Sequence, residues 1–443
     1  MSSPLLERIA GEHAALADSL PGGAVSRARR RRALDALLTS GLPSSRDENW
    51  RYANLRPLER VRFAPASVAP DAAVSSLDVA SLPASVPGFV RYVFVDGAFS
   101  REASIAGGAQ LQGVRVSMGH SAPSAAESGE PWPGTAFALL NEAFATGGLR
   151  IEVEGKEPAT RIEVVFVATA SAQASATANG RGASYPRLSV VAAPHARLEL
   201  IERHLSVDDE PSFVDSMIDV RAQEGSNIEH YRLQQLGTRA LWMDTLTASV
   251  ARSAVYRLHG FALGAQSARS TVSVRLEGEG SELALHAVAA ADRQQVLDTL
   301  ALVEHAAPHT RTDESFRGVA AGRSRVAFNG KIIVQTGAHG ADSSQSLRGL
   351  LAGAEAEIDV RPQLEIYTDE VRCSHGATAG KLDETMLFYL LSRGLDRETA
   401  QRLLKWAFLE DVVSKVAVPE LRRQIEASLA GQLQDAETLK ELL

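Results

Sequence analysis

One cysteine, Cys373, is the whole thiol content of this 443-residue chain. That excludes an internal disulfide, and a reducing cytosol is the natural compartment for a large chain built without one. Aromatic residues are scarce, at 5%, so the core has to be assembled mainly from Val, Leu, Ile and Ala. No run of roughly 18 apolar residues occurs, which excludes an ordinary transmembrane helix. Leu5 to Leu20 is broken by Glu7, Arg8, Glu12, His13 and Asp18, so no secretory leader is expected. A formal net charge of -8 offers no general attraction to nucleic acid or to an anionic membrane surface.

Several reaction motifs are missing as well. The phosphate cradle G-x-x-x-x-G-K-S/T is absent, and Gly107-Gly108 and Gly147-Gly148 lack the lysine it needs, so ATP is not expected on this chain. C-x-x-C and H-E-x-x-H metal clusters are absent, and no G-x-S-x-G elbow supports a serine hydrolase.

What is present starts with helical spacing. Pro4 to Leu20 and Ala24 to Ser40 place apolar residues on one helix face each, separated by Pro21-Gly22-Gly23 and stopped at Gly41. The arginines Arg27 and Arg29 to Arg32 read as a solvated helix face rather than a nucleic-acid patch. Trp50 and Tyr52 read as anchors of a loop against the next domain. Residues 62–135 are rich in Pro, Ser, Ala and Gly, with a strand at Arg91 to Val95 before an Asp96-Gly97 turn, and Pro131-Trp132-Pro133-Gly134 leads into a helix at Thr135 to Phe144.

From Gly148 the period changes to strict alternation and stays there for more than half of the remaining chain. A phrase of small residue, any residue, aliphatic residue follows turn after turn, at Ala196, Ser226, Ser253, Ser281, Ser324 and Ala356. The spacing is on the order of thirty residues, except for one long step from Ser281 to Ser324 that suggests an extra coil or a protruding loop within 292–322. All strand and no helix at such a period favours a β-solenoid over a sandwich, because each coil has too little apolar surface to close a core alone. A solenoid exposes sheet edges at both ends, and helical termini are the expected caps.

After Gly380 helices return. Asp383 caps Glu384 to Ser392, Gly394 stops it, Asp396 caps Arg397 to about Val416, and Pro419 opens a last helix to about Leu429. The expected division is an N-terminal helical and irregular domain over 1–147, a mainly β solenoid core over 148–380, and a C-terminal helical domain over 381–443. Cys373 and His375 lie between the last two parts, in the segment Ile366-Tyr-Thr-Asp-Glu-Val-Arg-Cys-Ser-His-Gly-Ala-Thr378. On an extended strand C-x-H puts thiol and imidazole on one face, where they could share a metal or sulfur ligand. Arg372 could lower the thiol pKa, and Gly376 would allow a ligand or second chain to come close. A tetrahedral site needs more donors than these two, so another chain would have to complete it.

That segment, with Leu387-Phe-Tyr-Leu-Leu-Ser-Arg-Gly-Leu395 after it, resembles the SufB/SufD family of iron-sulfur cluster assembly scaffolds. The wording Cys-Ser-His-Gly-Ala-Thr is similar to the SufD branch, and so is Glu48-Asn-Trp-Arg-Tyr-Ala-Asn-Leu55 near the start. The resemblance implies a right-handed parallel β-helix. It also implies a non-enzymatic role beside a SufB-type paralogue and a SufC-type ABC ATPase, with a nascent Fe-S cluster at the seam between the β-helices. On this chain it implies His375 first and Cys373 second as cluster or iron ligands, and Leu387, Leu390, Leu403, Leu404 and Phe408 as the surface for the ATPase. Reduced flavin is implied only for the whole complex. Two other readings of the residues remain. One is a carbohydrate-acting β-helix enzyme with acids such as Glu199, Glu202 and Asp219 along a long strand Tyr185 to His204; the other is a homodimeric adaptor that pairs its own edge strand. His305, His309 and His339 read as surface or turn residues.

Overall fold

Alternating apolar residues from Leu149 onward form strands that the chain deposits in turn on two parallel sheets. The computed structural model describes residues 4–20, 23–53, 55–60, 63–65, 77–105, 113–118, 134–155, 158–169 and 181–433. The first sheet runs Leu149–Val153, Arg187–Ala192, Ser212–Ala222, Leu241–Val250, Ser267–Leu276, Val296–His305, Arg325–Val334, Glu357–Ile366. The second runs Thr160–Ala168, Arg197–Ser206, Asn227–Gln235, Val255–Ala262, Glu282–Ala291, Arg311–Ala320, Asp342–Leu351, Arg372–Lys381. Each coil gives one strand to each sheet, so the molecule is a parallel β-solenoid, as the recurrence predicts. At the N-terminal end both sheets continue into antiparallel strands: Val90–Val95 pairs with Ala98–Ile105 in one, and Val114–Met118 pairs with Leu149–Val153 in the other.

Segment 292–322 holds neither an extra coil nor a protruding loop. It is ordinary solenoid, made of Val296–His305 and Arg311–Ala320. The recurring phrase changes sheet there: up to Ser281 it precedes strands of the second sheet, whereas Ser324 and Ala356 precede strands of the first. The skipped position, Thr310-Arg311-Thr312, has threonine where an aliphatic residue was expected, because Thr310 and Thr312 hydrogen bond the buried ring of His305 at 2.8 and 3.0 Å.

Seven helices flank the solenoid among the described residues: α1 Pro4–Leu16, α2 Ala24–Ser40, α3 Arg56–Arg60, α4 Thr135–Phe144, α5 Glu384–Ser392, α6 Arg397–Val413 and α7 Pro419–Gln432. Asp383 and Asp396 cap α5 and α6 as expected, accepting from Thr385 and Met386 and from Thr399. The expected breaks at Pro21-Gly22 and Pro131-Trp132-Pro133, and Gly107-Gly108, lie outside the described residues.

The helices do not sit where caps were expected. α1, α2 and α4 share a core with Phe213, Met217, Leu241 and Met243 on the outer face of the first sheet. α6 and α7 share one with Tyr231, Leu233, Phe261, Val288 and Val319 on the outer face of the second. The reason is the apolar outward residues of those strands, each worth about 1.5–3 kcal/mol when covered. Trp50 anchors its loop on the solenoid, packed on Phe137 at 5.2 Å and under Arg269 at 4.6 Å, and Tyr52 lies under Arg325 at 5.1 Å. The arginine-rich helix face is only partly solvated. Arg30 is buried and donates to the Ala145 carbonyl, and Arg29 pairs with buried Glu142, because α2 turns that side toward α4.

Candidate functional site

With the helices along the walls, the C-terminal end of the column is left open. Arg372–Lys381 pairs on one side with Asp342–Leu351, and Glu357–Ile366 with Arg325–Val334. Among the described residues no strand takes the other edge of either. Nearly every residue of the final strand is exposed.

Cys373 and His375 stand on this last strand with one residue between them, hence on the same face. That face is the inner one, because half-buried Cys373 touches the column core. His375 is exposed, since no coil lies above it among the described residues. Burial, with the charge of Asp342, pushes the Cys373 thiol up, overturning the expectation that Arg372 lowers it. Arg372 alternates to the opposite face and is exposed, so its charge is spent in water. The thiol therefore stays protonated at neutral pH until a metal or base removes the proton. A Cβ at Gly376 would meet no atom within 4 Å, so the strand is clear on that side.

The inner lanes beneath the pair change character toward the open end. One runs in register Ile162, Leu200, His230, Leu258, Leu285, Glu314, Gln345, His375. Its neighbour runs Leu198, Ile228, Tyr256, Leu283, Thr312, Ser343, Cys373. Both are mostly apolar through Leu285 and Leu283 and wholly polar above them. Gln345 Nε2 donates to Glu314 Oε2 at 2.8 Å, and burial pushes the Glu314 carboxyl up to about 7. Sequence reasoning missed Glu314 and Gln345. Parity from Phe316 and Leu347, both core residues, was the signal that could have found them.

A second polar group lies deeper in the column. Arg232 binds Glu202 at 2.7 and 2.9 Å and Asp244 at 2.8 and 2.9 Å, while His204 and His230 reach Glu202 at 2.6 and 3.1 Å. Burial alone would raise the Glu202 carboxyl, but Arg232 and the two imidazoles hold it well below the usual carboxylate range. Glu202 is thus an internal ion partner, not a solvent-face acid. Tyr185 to His204 is also no single strand: it divides between the two sheets at Ala193 to Ala196. Glu199 faces outward and pairs with Arg161, and Asp219 pairs with Arg221 in the other sheet, so these acids share no groove. His305 is buried inside the column rather than at the surface, and burial pushes its imidazole down to about 4. His309 and His339 do lie in turns.

Among the described residues no three His, Cys, Asp or Glu side chains come together to hold a metal ion. No helix among them is long and apolar enough to cross a membrane.

α5 begins three residues beyond the last strand. Leu387 is sealed at 1% exposure, Leu390, Leu403 and Leu404 are half-buried, and Phe408 packs partly into the wall cluster. The apolar groups that α5 turns to solvent are its neighbours: Met386, Phe388 and Tyr389 are 59%, 70% and 56% exposed. Sequence periodicity found the helix, and its stripe packs in part on the neighbouring structure, with Leu387 sealed and the other leucines half-buried.

This chain is a parallel β-solenoid with a thiol and an imidazole on its terminal coil, and comparison with known proteins gives its family. Residues 173–408 match the family model described as SUF system FeS cluster assembly, SufBD core domain. The chain is 30% identical over 407 residues to the iron-sulfur cluster assembly protein SufD of Escherichia coli K12, covering 90% of this chain and 91% of that one. It is 25% identical over 417 residues to an iron-sulfur cluster assembly SufBD family protein of Synechocystis, covering 90% and 89%. The chain therefore belongs to the SufB/SufD family of iron-sulfur cluster assembly proteins. Within that family it resembles SufD over nearly its full length.

Proposed function

We propose that this chain is the SufD-type subunit of a complex that builds iron-sulfur clusters, acting as a non-enzymatic scaffold. A SufB-type paralogue pairs with the open terminal coil, and a SufC-type ABC ATPase docks on the C-terminal helices. The observation that supports this best is the position of Cys373 and His375, side by side on a strand whose outer edge no described strand occupies. Two donors facing an open edge are half of a tetrahedral set, and a second chain laid on that edge brings the rest. His375 is the ligand to iron or the nascent cluster; Cys373, protonated at rest, is a second ligand or a transient sulfur carrier. The cluster is cargo and leaves. Reduced flavin belongs to the complex, with no residue here assigned to it.

Domains over 1–147, 148–380 and 381–443 fit this division of labour. Movement of the ATPase would be felt at the seam because α5 follows the last strand so closely, and α6 packs on strands Glu282–Ala291 and Arg311–Ala320 beneath it. Without its paralogue the same edge would accept a second copy of this chain.

Co-expression with SufB-type and SufC-type partners tests the reading. A stable three-component complex is expected, with iron and sulfide content largely lost in His375→Ala and reduced in Cys373→Ser. A His375→Ala complex that assembles clusters at the parent rate would overturn the ligand assignment, and failure to co-purify would overturn the scaffold.

A further inference from the structure

Gln345 stands between Glu314 and His375 in one inner lane. Its Nε2 donates to Glu314, while its Oε1 is buried with no hydrogen-bond partner. Leaving a buried acceptor unpaired costs about 1–3 kcal/mol, and Gln345 is only 3% exposed. Glu314 accepts from the amide NH2 at Oε2, and that contact sets which way the amide faces: NH2 toward the acid, carbonyl free. Room for this arrangement comes from the opposite sheet. A methyl group on Gly330 would collide with Gln345 Nε2 and come within 2.8 Å of Glu314 Oε1. The next residue up the lane is His375, one strand spacing away, about 4.8 Å, and its imidazole is exposed.

We propose that Gln345 and Glu314 are positioning residues for His375: once a partner covers the terminal coil, an imidazole N–H pairs with the free Gln345 carbonyl, and Glu314 keeps that carbonyl available. The contact selects one tautomer and leaves the other ring nitrogen, with its lone pair, facing the seam. No bond is made or broken; the buried unpaired acceptor gains a donor and the ligand gains an orientation. This rests on the reading of His375 as an iron ligand.

The test uses the full chain bound to its SufB-type partner, with ferrous iron alone as probe. In the iron-free complex, the 15N resonances of the His375 ring report its tautomer. Gln345→Leu, similar in size but without an acceptor, is expected to turn a single tautomer into a mixture and to weaken ferrous iron binding by about ten- to a hundredfold. Glu314→Gln, which no longer fixes the amide, is expected to give a smaller shift in the same direction. A purely structural role would lower the melting temperature and leave the tautomer alone. An unchanged ring spectrum in either folded variant overturns the proposal, and Glu314→Gln decides it if Gln345→Leu does not fold. If His375→Ala binds ferrous iron as tightly as the parent, the ligand reading fails, whereas the ring spectrum still judges the contact.

Discussion

Arg232 and Glu202 are joined by two hydrogen bonds, 2.9 and 2.7 Å long, inside a column that otherwise buries mainly aliphatic side chains. Glu202 is sealed from solvent and Arg232 is only 8% exposed, so each largely takes the place of water for the other. Glu202→Ala removes one side of the pair and strands a guanidinium with only Asp244 to answer it. A loss of about 3–5 kcal/mol is expected, read as a lower urea midpoint at unchanged slope.

Glu314 gives stability a dependence on pH with a definite sign. Its carboxyl is raised from 4.5 to about 7 by burial, so between those values the folded chain keeps a proton that the unfolded chain releases. Its contribution therefore falls as pH rises through that window and is level above it, a change on the order of 3 kcal/mol. Glu314→Gln should remove this slope, so the variant gains on the parent between pH 4.5 and 7 in paired denaturation curves. Parallel curves would contradict the burial argument.

Phe316 and Phe328 face each other across the column at 4.4 Å, with Phe316 two residues along the strand from Glu314. Phe316→Ala leaves a cavity there, and a loss of about 3–5 kcal/mol is expected. Hydrogen exchange should rise first in the last two coils, which depend on this contact for their footing.

On α5, replacing Phe388 and Tyr389 together by Glu changes two exposed side chains and no buried one. The melting temperature should stay within the range of ordinary surface changes, about 0.5 kcal/mol in stability, while capture of the SufC-type ATPase is lost. Retained capture would move the docking surface off this helix.

The solenoid was legible because small-x-aliphatic turns repeat wherever an apolar inward residue opens a strand, as at Ile228 and Leu283. It faded at Thr312, where the inward residue became polar, and this is also where the site begins. Alternation finds strands without saying what covers each face. Phe408, facing the wall, was therefore placed on a docking surface, and Glu202, facing the interior, was grouped with Glu199 and Asp219. Helix ends were clearer: Asp383, Asp396 and Gly394 mark them by local chemistry that needs no tertiary context. Cys373 and His375 were visible as a pair, but their inward orientation depends on register, which links residues a full coil apart.

The two ends of the column are unlike: antiparallel strands finish one, bare parallel strands the other. Joining tail to tail consumes the bare end of both participants and presents nothing equivalent for a third. Such a union terminates at a pair, so a molecule with an uncovered β edge has a route to association without a route to fibres.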